Sequence, residues 1–182
     1  MELKRTQETL EVFKMYVLNQ SRSILSRKGK NVTSKLFQSL NGTVKEMKNS
    51  IFVEFEMEDY AYYQDRGVKG AKSSYPEIGK YGTLAKFGKG TGTKGGLTRG
   101  INKWVRARRF QFRDKKTGRF MSYDSTAFLI TRSVYNKGIK PSLFFTKPFE
   151  RAFEKLPDAL IEQFGLDVED FLAYTLKEDR LR

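Results

Sequence analysis

The residues of this chain that could do chemistry are its lysines and arginines, and they are concentrated in one segment. Residues 66–120 contain 16 Lys or Arg and two acids, Glu77 and Asp114. The remaining residues contain equal numbers of basic and acidic side chains, so the formal net charge of +14 lies in this segment, called here the basic segment. Charge of one sign gathered in one stretch predicts binding to a polyanion or to an acidic protein surface.

Three interpretations of the basic segment stay open from the sequence. It could be a solvated loop without a role, an arm that docks on the acidic surface of a neighbouring subunit, or a surface that contacts nucleic-acid phosphates. Trp104, Phe110 and Phe112 among the arginines support the third, but charge alone does not separate an acidic protein surface from DNA. We expect a mixed outcome, in which the glycine-rich half docks on neighbouring subunits and residues 106–119 face DNA. The basic residues predicted to face DNA or a neighbouring subunit are Lys86, Lys89, Lys94, Arg99, Lys103, Arg106, Arg108, Arg109 and Arg113.

Most catalytic and metal-binding chemistry is excluded by composition. The chain has no cysteine and no histidine, which removes thiolate chemistry and the commonest general base. The run GKGTGTKGG, Gly88–Gly96, does not match the phosphate-binding loop, in which four residues separate the first glycine from Gly-Lys-Ser/Thr. Asp59 and Asp65 flank a tyrosine-rich turn, where helix capping explains them better than an acid pair does. We therefore predict a protein that is not an enzyme, with no catalytic residue, cofactor or metal.

Length and composition predict one globular domain with a substantial core. The chain has 182 residues, of which 38% are hydrophobic and 14% aromatic. Its N-terminus is mixed in charge and has no apolar core, so we predict no signal peptide. No run approaches the roughly 18 apolar residues that span a membrane, so we predict no membrane partner.

The N-terminal third changes from helical to strand periodicity. Residues 3–27 place apolar side chains at helical spacing without Gly or Pro, which predicts one long amphipathic helix. A short helix is predicted over Thr33–Leu40. Residues 43–47 and 50–57 then alternate apolar and polar side chains around a turn, which predicts a β-hairpin. Phe52 interrupts the polar face of this hairpin, either as a half-buried surface aromatic or as a subunit contact.

The remaining elements are predicted to be short and to surround the basic segment. A helix over Tyr60–Arg66, capped by Asp59, ends at Gly67. Residues 67–100 contain ten of the 15 glycines and are expected to lack a stable conformation in the isolated subunit. Further predicted elements are a helix around residues 97–105, a hairpin joining 110–113 to 119–123, a helix from Asp124 or Ser125 to Gly138, a helix led by Pro148 and broken at Pro157, and helical runs over 159–164 and 168–176 separated by Gly165.

The order of these features resembles that of the neck and tail-completion proteins of tailed bacteriophages. That family places a short small-polar and leucine helix before its strands, as in VTSKLFQSL, and then an aromatic-alanine-aromatic turn ending in an acidic residue and Gly, as in DYAYYQDRG. It closes with a Pro-Phe-rich segment before a last helix, as in KPSLFFTKPFERAFEKL, and FLITRSVYNKGIKP resembles a recurring phage structural segment. The chain departs from the family at residues 69–123, which are longer and more basic than the family loop.

The resemblance implies an α+β fold, in which a small antiparallel β-sheet packs on the long N-terminal helix and C-terminal helices follow. We accordingly expect one neck-protein-like domain over residues 1–182, with a long basic, glycine-rich insertion of loop, helix and hairpin at 67–123. The residues expected at a subunit interface are Phe52, Tyr60, Tyr63, Phe144 and Phe145.

The resemblance also implies a structural protein of the virion neck or tail, assembled in the host cytoplasm. Such a protein forms a six- or twelvefold homo-oligomeric ring with portal or adaptor proteins and tail proteins as partners, and conducts or retains genomic DNA. Contact with double-stranded DNA would then be nonspecific. The alternative is a sequence-nonspecific DNA-binding protein that acts in phage packaging or DNA processing.

Overall fold

The computed structural model describes residues 3–28, 34–47, 50–72, 85–88 and 95–179, with side chains described as far as residue 173. Its elements in chain order are α1 (Lys4–Arg27), α2 (Lys35–Ser39), β1 (Asn41–Met47), β2 (Ser50–Glu56), α3 (Ala61–Arg66), β3 (Val68–Lys69), α4 (Gly96–Ala107), α5 (Tyr123–Lys137), β4 (Gly138–Ile139), α6 (Thr146–Phe153) and α7 (Leu156–Asp179). About 60% of the described residues are helical, and the described strands form two antiparallel pairs, β1–β2 and β3–β4. The predicted mixture of helices with small antiparallel sheets and a long N-terminal helix is confirmed.

The chain divides into two compact units. Unit 1 comprises residues 1–28, 35–58 and 144–182, and unit 2 comprises residues 29–34 and 59–143. Unit 2 contains the basic segment but is longer than the predicted insertion, since it also includes α3 and all of α5. The single domain over residues 1–182 with an insertion at 67–123 stays a prediction.

Unit 1 has an aromatic core between α1, the β1–β2 hairpin and α6. The Phe13 ring of α1 lies edge-on to Phe55 of β2, 6.2 Å between centroids, and to Phe149 of α6, 5.6 Å away. Phe145 stacks on Phe149 at 5.8 Å and meets Phe55 at 5.3 Å. Such aromatic pairs contribute about 0.5–1.5 kcal/mol each beyond the area that they bury. These four rings therefore hold the hairpin and α6 against α1.

The predicted β-hairpin is confirmed. β1 and β2 pair antiparallel in a register that runs from Asn41 opposite Glu56 to Met47 opposite Ser50. Because side chains alternate along a strand, this register sends Phe55 towards α1 and α6. The two residues predicted for the turn, 48 and 49, lie outside the described residues.

The C-terminal helix differs from the prediction. Gly165 does not separate two helical runs, because α7 continues without interruption from Leu156 to Asp179. Pro157 lies in the first turn, where backbone N–H groups have no acceptor within the helix, so proline removes no helical hydrogen bond there. A Cβ added at Gly165 would meet no atom within 4 Å, so this glycine costs the helix only its propensity, roughly 1 kcal/mol relative to alanine.

Asp167 of α7 caps the N-terminus of α1. The residue before α1 is Leu3, whose side chain makes no capping hydrogen bond. The Asp167 carboxylate instead accepts from the Thr6 N–H at 3.0 Å, the Thr6 hydroxyl at 2.8 Å and the Arg5 N–H at 3.3 Å. Burial favours the neutral acid, but the hydrogen bonds outweigh it and hold the pKa of Asp167 below its ordinary value. One carboxylate thus joins both long helices of unit 1.

Two glycines allow a close approach of backbones in unit 2. β3 and β4 pair antiparallel, with Val68 opposite Ile139. Gly67 has φ +78°, and a Cβ there would lie 2.4 Å from the Ile139 carbonyl oxygen. A Cβ at Gly70 would lie 2.1 Å from the carbonyl oxygen of Asn136 in α5. Both glycines of the sequence DRGVKG are therefore required by packing.

The starts of two helices in unit 2 differ from those predicted. α5 begins at Tyr123 with Ser122 as its N-cap, and the Ser122 hydroxyl accepts from the Ser125 N–H at 3.1 Å. Neither Asp124 nor Ser125 is the cap. The residue at the N-cap of α3 is Tyr60, whose side chain makes no capping hydrogen bond, so the predicted cap Asp59 does not occupy that position.

Candidate nucleic-acid interface

α4 presents two different faces. It begins after Gly95, which has a left-handed φ of +77°. Leu97, Ile101, Trp104 and Val105 recur at helical spacing, and α4 packs on α5 with Val105 fully buried. The helix predicted around residues 97–105 is confirmed. It extends back to residue 96, so the last part of the stretch expected to lack a stable conformation is helical.

The opposite face of α4 carries a cationic stripe. Arg99, Lys103 and Arg106 occupy positions i, i+4 and i+7, so their side chains project from one side of the helix. All three are exposed. Among the described residues, no acidic group pairs with Arg99 or Lys103. A row of exposed cations on a rigid helix can contact phosphates without reading base sequence.

Contacts to α5 fix Arg106 at the end of the stripe. Its guanidinium donates to Asn102 Oδ1 at 2.7 Å and to Asp124 Oδ1 at 3.0 Å, and it lies 5.3 Å from the centroid of the Tyr123 ring. Asn102 donates to the same carboxylate oxygen at 2.6 Å. The hydrogen bond from Asn102, followed by that from Arg106, lowers the pKa of Asp124 below its ordinary value. Arg106 is therefore partly neutralised, and the other two members of the stripe carry the more accessible charge.

Arg109 adopts a backbone conformation that favours glycine. Beyond the end of α4 the Phe110 N–H donates to the Val105 carbonyl at 3.0 Å, and the Arg109 N–H donates to the Arg106 carbonyl at 3.1 Å. This pair of bonds is the Schellman motif, whose left-handed position is usually Gly. Arg109 occupies that position with φ +51°, which costs on the order of 1 kcal/mol. In the sequence, the left-handed conformation of Arg109 is indicated only by the fact that no Gly follows the last apolar residue of α4.

A tight turn closes the predicted hairpin of residues 110–123. A single antiparallel bridge joins Arg113 to Phe120, so the hairpin is shorter than predicted. The Asp114 carboxylate accepts from the N–H of Thr117 at 2.8 Å and from that of Lys116 at 2.9 Å, and these bonds lower the pKa of Asp114. The turn therefore holds its own shape and presents its cations outwards.

Four exposed aromatic residues lie beside these cations and are called here the aromatic cluster: Trp104, Phe110, Phe112 and Phe120. The Phe110 centroid lies 6.4 Å from that of Trp104 and 5.2 Å from that of Phe112. The Arg113 guanidinium lies 4.7 Å from the centroid of Phe120, which is 62% exposed. Clustered exposed aromatics of this kind mark contact surfaces.

The other predicted basic residues are placed as follows. Lys86 is half-buried and bridges to Lys69, whose N–H donates to the Ala85 carbonyl at 2.8 Å. Arg108 is exposed at the C-cap of α4. Lys89 and Lys94 lie outside the described residues. The structure therefore brings together the predicted residues of α4 and of the turn after it.

The predicted interface residues differ in exposure. Phe52 is half-buried, with the Lys45 ammonium 5.9 Å from its ring centroid. Tyr60 and Tyr63 are exposed, as the prediction requires. Phe145 is half-buried within the aromatic core of unit 1. Phe144 is fully buried, so it is a core residue without surface for a neighbouring subunit, and the prediction for it is corrected.

Comparisons with protein-family models, with curated proteins and with solved structures found no match for this chain. Within the described residues, no group of three or more acidic side chains could hold a metal ion. The search for a membrane-spanning helix, over the same part of the chain, found none that is long and apolar enough.

Proposed function

We propose that this protein forms a ring in the neck of a tailed-phage virion, joining the portal side of the capsid to the tail and conducting or retaining genomic DNA. The ring is a six- or twelvefold homo-oligomer, and portal or adaptor proteins and tail proteins are its partners. The resemblance of the motifs at both ends of the chain supports this assignment. The exposed aromatic residues of both units supply surface for subunit contacts.

The cationic stripe of α4 is the observation that carries the DNA contact. Its side chains project away from the buried face of the helix, and no described acid pairs with Arg99 or Lys103. A conduit must pass every sequence, so its contacts should be to phosphates and not to base edges. Arg109 adds an exposed charge just beyond the helix, at a backbone position that favours glycine.

A sequence-nonspecific DNA-binding protein that acts in phage packaging or DNA processing is the second candidate. The observation that favours it is the same stripe, because a monomeric binder needs its cations on a folded surface and α4 provides one. The two candidates differ in oligomeric state and agree on the kind of DNA contact.

Native mass spectrometry combined with DNA binding at several salt concentrations tests both candidates. We expect an oligomer that binds unrelated duplexes equally, with the logarithm of its affinity falling linearly with that of salt by about 0.9 per phosphate contact. The double variant Arg99→Gln, Lys103→Gln should reduce this slope by about 2 and leave the oligomer assembled.

The matched control is Arg132→Gln with Lys137→Gln, which removes the same charge from exposed positions of α5 in the same unit. It should change the slope by clearly less than the α4 variant does. A monomer that binds DNA without sequence preference would select the second candidate. An oligomer that dissociates in the α4 variant would make the stripe a subunit contact, and equal slopes in both variants would refute its DNA assignment.

A further inference from the structure

One side of α7 carries an apolar row, called here the α7 stripe: Ile161, Phe164, Val168, Phe171 and Leu172, all exposed except the half-buried Val168. These residues recur at the spacing of a single helical face. Ile161 is 73% exposed, Phe164 48% and Leu172 54%. Gly165 lies within the same row. A Cβ there would meet no atom within 4 Å, so there is open space at the middle of the row.

The α7 stripe continues into an apolar groove of unit 1. The groove has a volume of about 650 Å³, and Ile161 and Phe164 line both the groove and the stripe. Its other walls include Leu10 of α1 and Ile51 of β2. Glu46 is the charged residue among the described side chains that line it. A surface of this kind is shaped to receive large apolar side chains.

Acidic residues border the stripe. Asp158, Glu162 and Glu169 follow positions i, i+4 and i+11, so they form a row along one edge of the apolar face, and all three are exposed. Residues 156–173 contain five acids and no Lys or Arg. A partner for this surface should therefore combine large apolar groups with positive charge.

We propose that the α7 stripe and its groove bind the aromatic cluster of unit 2 in a second copy of this chain. The cluster offers four exposed rings; the Arg113 guanidinium lies 4.7 Å from the centroid of one of them, and the exposed Arg108 precedes Phe110 by two residues. Unit 2 contains 20 Lys or Arg and five acids, so the surface that approaches the acidic row is of opposite charge. Aromatic and arginine side chains are also the types that dominate the energy of protein interfaces.

The contact joins two different surfaces of the chain, which is the kind of interface that a closed ring repeats. It rests on the proposed function in that it names the subunit contact of that ring. Self-pairing of two α7 stripes would bring two acidic rows together, and residues 156–173 contain no Lys or Arg to offset their repulsion. A nucleic acid would meet the same negative charge. The observations therefore favour the basic, aromatic surface of another copy.

Cross-linking tests the contact directly, because the chain has no cysteine and a single introduced thiol reports one position. A tagged Glu162→Cys chain is mixed with an untagged Lys116→Cys chain and treated with a short bismaleimide. We expect a tagged–untagged dimer as the main product. Asp170→Cys, equally exposed and acidic but on another side of α7, is the matched control and should give at most about a tenth of that yield. Equal yields from both positions, or no mixed dimer, would overturn the proposal.

A second measurement addresses the energy of the contact. Phe164→Ser with Leu172→Ser should weaken self-association at least about tenfold, since a few large buried side chains dominate the binding energy of an interface. Val12→Ser removes an exposed apolar side chain from α1 and should leave it unchanged. An oligomer unaffected by the α7 variant would refute this contact and leave the ring standing. Mixed cross-links in a chain that forms only dimers would refute the ring and support the contact.

Discussion

The two units of this chain differ in net charge and in backbone conformation. Unit 1 contains 15 basic and 16 acidic residues, whereas unit 2 contains 20 basic and five acidic residues. Every described residue with a positive φ lies in unit 2, and three of these, Ser34, Arg109 and Leu143, are not glycine. Unit 1 is made of regular helices and one hairpin around an aromatic core. Unit 2 combines a surplus of positive charges, which repel one another, with residues in the left-handed backbone conformation.

This difference indicates that packing within the chain constrains unit 1, whereas contacts with other molecules constrain unit 2. Clustered positive charge and strained backbone both lower the stability of a free subunit. They persist where a partner or a function requires them. Substitutions that act on one unit at a time test this difference.

The largest expected effect concerns the close backbone approach in unit 2. Gly70→Ala should destabilise unit 2 by about 3 kcal/mol, because the added Cβ would lie 2.1 Å from the Asn136 carbonyl oxygen and 2.5 Å from the Lys137 carbonyl carbon. Trp104 is the single tryptophan and lies in unit 2, so its fluorescence during urea unfolding reports that unit. Far-UV circular dichroism reports the helices of both units.

Gly100→Ala is the control for this prediction, since it makes the same change inside α4 where a Cβ meets no atom within 4 Å. It should stabilise unit 2 by about 0.5–1 kcal/mol. If Gly70→Ala costs no more than Gly100→Ala, the packing explanation of DRGVKG is wrong. If fluorescence and dichroism change together in Gly70→Ala, the two units unfold as one, as a single domain over residues 1–182 would.

A smaller effect is expected at the link between the long helices of unit 1. Asp167→Ala removes the cap of α1 and should cost about 1–2 kcal/mol at neutral pH. Because the folded-state pKa of Asp167 lies below its ordinary value, this stabilisation is complete above the unfolded pKa of about 3.9. It is lost as pH falls through the folded pKa. The difference in unfolding free energy between the two proteins should therefore shrink in acid.

Asp170→Ala is the matched control in the same helix. Asp170 pairs with the Arg5 guanidinium at 2.8 Å, but the Asp170 side chain is 68% exposed, so its loss should cost at most about 0.5 kcal/mol. Urea unfolding of both variants between about pH 7 and pH 3 makes the comparison. Equal costs for the two variants, or a cost of Asp167→Ala that does not change with pH, would remove the capping role.

The sequence predicted the elements whose signals are local. The 3.6-residue spacing of apolar residues was sufficient to predict α1. The alternation of apolar and polar residues predicted the β1–β2 hairpin, and one apolar face predicted α4. At Gly165 the prediction failed, since glycine is a helix-stop signal only when the next residues cannot continue the helix, and α7 continues.

The features that the sequence could not supply depend on residues far apart in the chain. Asp167 caps a helix that begins more than 160 residues earlier, and nothing in the sequence near either end indicates it. The cationic stripe could be predicted as a set of basic residues, but not the pairing of Arg106 with Asp124 that separates it from Arg99 and Lys103. Phe144 shows the same limit, because an aromatic in a Pro-Phe-rich segment can equally be surface or core.

A further small change in stability is expected at Arg109, where the substitution should stabilise the protein. Arg109→Gly should raise the unfolding free energy by about 0.5–1 kcal/mol, because glycine adopts the left-handed conformation of a Schellman motif without the steric cost that arginine has. If Arg109 contacts a phosphate, the same variant should reduce the salt slope of DNA binding by about 1. A gain in stability together with a loss in DNA affinity would show that unit 2 retains strain at this position for the sake of its charge.

Arg108→Gly separates the two effects. It removes the same charge one residue earlier, where φ is −82° and glycine brings no relief, so it should lower stability by about 0.5–1 kcal/mol. Urea unfolding followed by Trp104 fluorescence, with DNA binding measured on the same preparations, gives both quantities. Opposite signs of the stability change at these neighbouring positions would confirm the strain at Arg109. A loss of stability in Arg109→Gly would show that the arginine side chain stabilises unit 2 by more than its backbone costs, and the contrast between the two units would then rest on charge alone.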